Sequence, residues 1–240
     1  MRAKSRGFAR ARAFARAKLS GWSAGEAAWL LLTCLATAGL SIWWGESPLG
    51  IVAAVAGIAY VVFSGLGKLS AYAFGLVNVL AYSRMALQAS YYGEVALNLL
   101  CYLPLLAVGF ATWSRNMNEQ TGEVKKRSLG PRRTAALLAV ALAATAALGW
   151  VLQLLGGALP FADALTTALS VLAMALSVGR YLEQWALWIV VDAVTVGMWA
   201  AAFAAGTESL AMLLMWSIYL VNGIVMLTRW TREVRSSTTN

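Results

Sequence analysis

The stretch "RYLEQWALWIVVDAVTVGMWAAAF" (residues 180–203) is apolar for the length of a membrane crossing, yet it holds Glu183 near one end and Asp192 in its middle. A hydrocarbon layer of roughly 30 Å takes about 20 apolar residues at about 1.5 Å rise each. Asp192 is twelve residues from Arg180, roughly 18 Å along a helix axis, which puts it near mid-membrane. An unpaired carboxylate at that depth costs on the order of 2.5 to 3.5 kcal/mol on insertion scales. It calls for a polar cavity, a partner or a proton. Tyr181, Trp185, Trp188, Asp192, Thr195 and Trp199 recur at three- and four-residue steps, so a helix carries them on one face. Leu187, Val190, Val191 and Val194 fall opposite and suit lipid.

Working outward, the chain is 60% hydrophobic and 12% charged, and its apolar residues come in long blocks. That pattern predicts an all-α polytopic membrane protein. Eight spans are expected, at about 27–44, 48–66, 69–87, 91–113, 134–155, 161–178, 181–204 and 208–228. Residues 114–133 form a basic, polar connector. The net charge of +9 raises the question of nucleic acid, and the distribution of the charge answers it. With eight spans and both termini on the cytoplasmic side, every Lys and Arg except Arg84 falls on that side, including the arm Arg2, Lys4, Arg6, Arg10, Arg12, Arg16 and Lys18. This is the positive-inside bias of an inner-membrane protein, and no nucleic-acid partner is needed to explain it. The chain has no His, and Cys34 and Cys101 lie inside spans. Neither a metal centre nor a catalytic set is therefore expected, and no cofactor.

The two sides of the connector match weakly but in order. Gly67-Lys68 opens the third span and Gly179-Arg180 the seventh; Tyr102 to Trp113 closes the fourth and Tyr219 to Trp230 the eighth, with the same internal spacing. Residues 1–26 then form a basic arm, 27–44 an extra first helix, 45–113 the first three-helix repeat, 114–133 the connector, 134–155 a linking helix, 156–230 the second repeat and 231–240 a tail. An odd helix between three-helix units keeps them parallel, a symmetry transporters use to set a substrate site between halves.

Paired tryptophans beside a carboxylate make a slot for a flat cationic ring, held by stacking and cation–π attraction. Asn98 and Tyr102, with Glu94, share a face of the fourth span, where Pro104 interrupts the backbone ladder. Asn78 and Gln88 on the third span and Tyr219 and Asn222 on the eighth complete the candidate binding set, with Asp163, Thr166, Thr167 and Ser170 as further polar groups on the sixth. Arg180 and Glu183, three apart at the membrane edge, are expected to form a helical ion pair. The residues alone also admit a non-transporting scaffold or receptor that docks a partner on the basic arm.

The run "DALTTALSVLAMALSVGRYLEQWALWIVVD" (163–192), together with "YYGEVALNLLCYLP" (91–104) and "YLVNGIVMLTRW" (219–230), resembles the PnuC family of nicotinamide riboside transporters over roughly residues 45–230. The resemblance implies two parallel three-helix repeats as in SWEET proteins, a homo-trimer in the lipid bilayer, and facilitated uptake of the vitamin followed by trapping through cytoplasmic phosphorylation. It places the substrate at Trp185 and Trp188 and at Asp192, a position usually Asn in the family. Leu106 stands where Gln is frequent. Related family branches carry thiamine or riboflavin, and Asp192 or Glu94 as a proton relay would make a symporter.

Overall fold

The computed structural model describes residues 24–88, 95–156, 159–204 and 210–238. Eight α-helices run through these residues: α1 (Ala24–Trp43), α2 (Pro48–Gly65), α3 (Ala71–Gln88), α4 (Leu103–Ser114), α5 (Pro131–Leu154), α6 (Pro160–Val178), α7 (Glu183–Ala204) and α8 (Leu210–Thr238). The segments of α1, α2, Leu97–Ser114, α5 and α6 are each long and apolar enough to cross a membrane. Residues 1–23 of the basic arm and Glu94 lie outside the described residues, as does the side chain of Trp199.

Local chemistry fixes the helix ends. Pro48, Pro131 and Pro160 each stand in a first turn, where the missing N–H costs nothing. Ser47 caps α2 by accepting from the Gly50 N–H at 3.0 Å. Pro104 has the opposite effect inside a helix, because it lacks an N–H and its ring crowds the carbonyl four residues back. The chain relieves this by widening into a π-helical turn over Leu97–Tyr102, with the Leu103 N–H reaching the Asn98 carbonyl.

α2 and α6 end in the same way. The Gly67 N–H bonds to the Ser64 carbonyl and the Lys68 N–H to Phe63, while Arg180 bonds to Ser177 and Tyr181 to Leu176. Each is a Schellman turn closed by a left-handed residue, Gly67 at φ 68° and Arg180 at φ 62°. The residue that corresponds to Gly67 is therefore Arg180, one place beyond the Gly179 that the sequence match suggests. This turn also overturns the expected Arg180–Glu183 ion pair. The left-handed Arg180 breaks the helix, α7 starts only at Glu183, and the three-residue spacing no longer places the two on one face. Arg180 instead donates to the Lys125 carbonyl at 3.0 Å, and Glu183 accepts from the Ser128 hydroxyl and the Leu129 N–H.

The connector is thus strapped across one end of the bundle. Val124 donates to the Gly67 carbonyl and Arg127 to that of Arg180, so it holds both turns. A charge network fastens it further: Glu123 meets Lys68, Lys126 and Arg229, and Lys126 and Arg229 both reach Glu233, while Arg229 also pairs with Glu26 of α1.

Two tryptophans cross-link the helices reciprocally. Trp113 at the end of α4 donates its indole N–H to the Ser177 carbonyl of α6 at 2.9 Å, and Trp230 near the end of α8 donates to the Gly65 carbonyl of α2 at 2.7 Å. Both rings are fully buried and meet with centroids 6.4 Å apart. α4 packs on α6 and α8 on α2, so each closing helix leans on the opposite opening helix. Leu187 and Val191, expected to face lipid, are buried against Leu169 and Ala173 of α6 and Ala141 of α5.

Trp230→Phe should lower stability by about 1 to 2 kcal/mol, since it keeps most of the packing and removes a buried hydrogen bond to the Gly65 carbonyl, and Trp113→Phe should cost less, because the Ser177 carbonyl keeps its bond from the Arg180 N–H. Thermal unfolding of the detergent-solubilised protein measures it.

Candidate substrate site

Between α2, α3, α6, α7 and α8 lies a cavity of about 250 Å³. α7 brings Trp185, Trp188 and Asp192 of the predicted stripe to it, and Gln184 one turn before Trp188. α8 adds Trp216, Tyr219 and Gly223, again one face at three- and four-residue steps. α2 supplies Gly57, Tyr60 and Ser64, and α3 supplies Asn78. A wider vestibule of about 730 Å³ opens on the end of the bundle away from the connector, sharing Asn78, Tyr102, Ser170, Trp216 and Tyr219 with the inner cavity. Those five side chains form the passage between the two spaces.

Asp192 is 4% exposed and, among the described residues, is the one carboxylate in the inner cavity wall, which holds no Lys or Arg. Among the described residues no Lys or Arg pairs with it. A buried carboxylate of this kind favours a bound cation. Trp185 is 3% exposed and packs edge-on against Trp230 at 5.9 Å, while Trp188 is half-buried and lines the cavity. Trp188 is thus the more open of the pair, while Trp185 also belongs to the aromatic floor that continues through Trp230 and Trp113 to Tyr72. Below that floor Lys126 of the charge network lies over Trp230 at 5.4 Å. The indole N–H groups of Trp185 and Trp216 are buried without acceptors among the described residues.

The other sequence-chosen residues divide. Asn78 donates to the Ala53 carbonyl at 2.8 Å, which fixes its amide at the passage. Tyr102, Tyr219 and Ser170 line both spaces, and Asn98 lines the vestibule alone, as do Asp163, Thr166 and Thr167. Asn222 is not in the wall. It is fully buried and accepts from the Trp29 indole of α1 at 3.3 Å, because α1 covers the side of α8 that spacing from Tyr219 assigned to the site. Gln88 is exposed at the end of α3 and touches neither space. Gln184, Tyr60, Ser64, Ser177 and Trp216 are site residues that the sequence reading passed over. For Gln184 and Trp216 the signal was present: they extend the three- and four-residue rhythms Gln184–Trp188–Asp192 and Trp216–Tyr219–Gly223.

A small-molecule cavity midway along apolar helices, with a vestibule at one end and a sealed floor at the other, is the architecture of a membrane transporter. The profile of the nicotinamide mononucleotide transporter family matches residues 47–232, and the chain belongs to that family. It is 41% identical over 225 residues to the nicotinamide riboside transporter PnuC of Neisseria mucosa, covering 92% of this chain and 86% of that one. It is 32% identical to the Haemophilus influenzae protein of the same name, over 90% of this chain and 94% of that one. The solved structure of a vitamin B3 transporter PnuC superposes with a TM-score of 0.78 at 40% identity, covering 93% of this chain and 97% of that one.

A methyl group at Gly57 would come within 2.9 Å of the Tyr219 hydroxyl and 3.0 Å of the Asn78 amide nitrogen. Gly57→Ala should therefore narrow the passage and weaken ligand binding roughly tenfold, about 1.4 kcal/mol. Isothermal titration on the folded variant checks this.

Proposed function

We propose that this protein carries nicotinamide riboside into the cell by facilitated diffusion across the inner membrane, where phosphorylation traps it. The charge of the inner cavity supports this most directly. Asp192 suits a pyridinium ring, Trp188 stacks on it, and the hydroxyl and amide groups of Tyr102, Tyr219, Asn78 and Ser170 suit a ribose. The same charge argues against the mononucleotide of the family's name. Its phosphate would enter a cavity whose wall holds Asp192 and neither Lys nor Arg, so like charges would meet in a low-dielectric space. Thiamine shares the cationic ring, and riboflavin is neutral and gains nothing from Asp192.

The proposal extends to topology. α2–α4 and α6–α8 are two parallel three-helix repeats, α5 links them and α1 is an addition, as the paired Schellman turns and reciprocal tryptophan bonds support. The connector and both termini face the cytoplasm, the side to which the positive-inside bias assigns the Lys and Arg residues. The strapped connector then closes the cytoplasmic end, and the vestibule opens outward. Assembly is as a homo-trimer. A proton-coupled version would use the unpaired Asp192 as the proton site.

In proteoliposomes loaded with unlabelled riboside, Trp188→Ala should abolish saturable exchange of labelled riboside while folded yield is unchanged. Normal exchange by that variant removes the stacking role. Asp192→Asn should weaken riboside binding about tenfold by withdrawing the counter-charge and should leave equilibration intact. A variant that equilibrates but no longer concentrates substrate would establish the proton-coupled version instead.

A further inference from the structure

Gln184 is a buried amide at the bottom of the inner cavity that the recognition scheme above leaves unused. It is 1% exposed, stands in the first turn of α7, and shares the cavity floor with Ser64 and Ser177. Its Nε2 donates to the Tyr181 carbonyl at 3.1 Å, which fixes the orientation of the amide. The Oε1 accepts no hydrogen bond among the described residues and, unlike the indole nitrogens of Trp185 and Trp216, is not sealed away from the cavity. The cavity lining therefore includes an amide whose donor is taken and whose acceptor is free among the described residues.

Gln184, Trp188 and Asp192 are four residues apart, so they stand in a column on one face of α7. The column reads acceptor, indole, carboxylate over about 12 Å of helix axis. We infer that Gln184 reads the ring carboxamide of the substrate and selects the amide over the corresponding acid. This rests on the nicotinamide riboside reading and gives the substrate one direction in the site. With the pyridinium on Trp188, the ring nitrogen and its ribose point to Asp192 and to the passage residues Asn78 and Tyr219. The carboxamide, meta to that nitrogen, points to the floor. Its N–H2 donates to Gln184 Oε1, and its carbonyl accepts from the hydroxyl of Ser64 or Ser177. A carboxylate in that position has no proton to donate, and it sets a negative charge against an acceptor that cannot turn. Sites built to pair a polar group discriminate strongly against an analogue that leaves the group unpaired.

The test is isothermal titration of the purified full-length protein with nicotinamide riboside, nicotinic acid riboside and unsubstituted pyridine riboside. Wild type should prefer the amide to the acid by about 100-fold. Gln184→Met, close in shape and without the acceptor, should bring the two within about threefold by weakening the amide, with pyridine riboside unchanged. Gln184→Glu keeps an acceptor, so it should keep the amide preference and reject the acid further. An undiminished preference in Gln184→Met overturns the inference. So does an equal loss for all three probes, which would mean that Gln184 only shapes the floor. If wild type binds none of the three, the riboside reading itself fails and takes this inference with it; binding of all three with no amide preference overturns the inference alone.

Discussion

A carboxylate that no cation among the described residues neutralises, held in a mostly apolar bundle, is the constraint around which this structure is arranged. Asp192 would be expelled from an ordinary membrane helix contact, so the helices around it enclose space and polar groups instead of packing shut. That space is the cavity between α2, α3, α6, α7 and α8. The stripe of α7 that carries Asp192 also carries Trp188 and Gln184, and α8 meets it with Tyr219 and the small Gly223, whose hydrogen side lies near the Asp192 carboxylate.

The rest of the fold keeps that space closed at one end. Trp185, Trp230, Trp113 and Tyr72 form a continuous aromatic layer below the cavity, and the reciprocal bonds of Trp113 and Trp230 tie that layer to α6 and α2. Beneath it the connector is held by backbone bonds to Gly67 and Arg180 and by the charge network of Lys68, Glu123, Lys126, Arg229, Glu233 and Glu26. Opening this end means parting several layers together. At the other end a passage of five side chains separates cavity from vestibule, so access there requires far less rearrangement.

Much of this was legible in the sequence for identifiable reasons. Apolar runs of membrane length delimit the helices, and prolines at first-turn positions sharpen their starts. Trp188 and Asp192 were found because helical spacing and the cost of a buried charge are local arguments. What failed depended on contacts between distant elements. Asn222 is drawn off by Trp29 of α1, and no periodicity within α8 announces that. Arg180 and Glu183 have ion-pair spacing, but a left-handed backbone at Arg180 and the arrival of the connector redirect both. Trp185 and Trp188 look equivalent as a motif, but Trp185 is buried against Trp230 while Trp188 is only half-buried. Gln184 resembles an ordinary polar residue at a helix start until its burial is seen.

Asp192, with neither Lys nor Arg beside it in the cavity wall, should hold a cation and turn away a phosphate. Equilibrium titration of the purified protein with nicotinamide riboside and with its 5′-phosphate, side by side at one ionic strength, tests this directly. Saturable one-to-one binding of the riboside, at least about 100-fold tighter than any binding of the phosphate, is the predicted result. Equal or tighter binding of the phosphate would contradict it, and would mean that Asp192 does not set the charge the site selects.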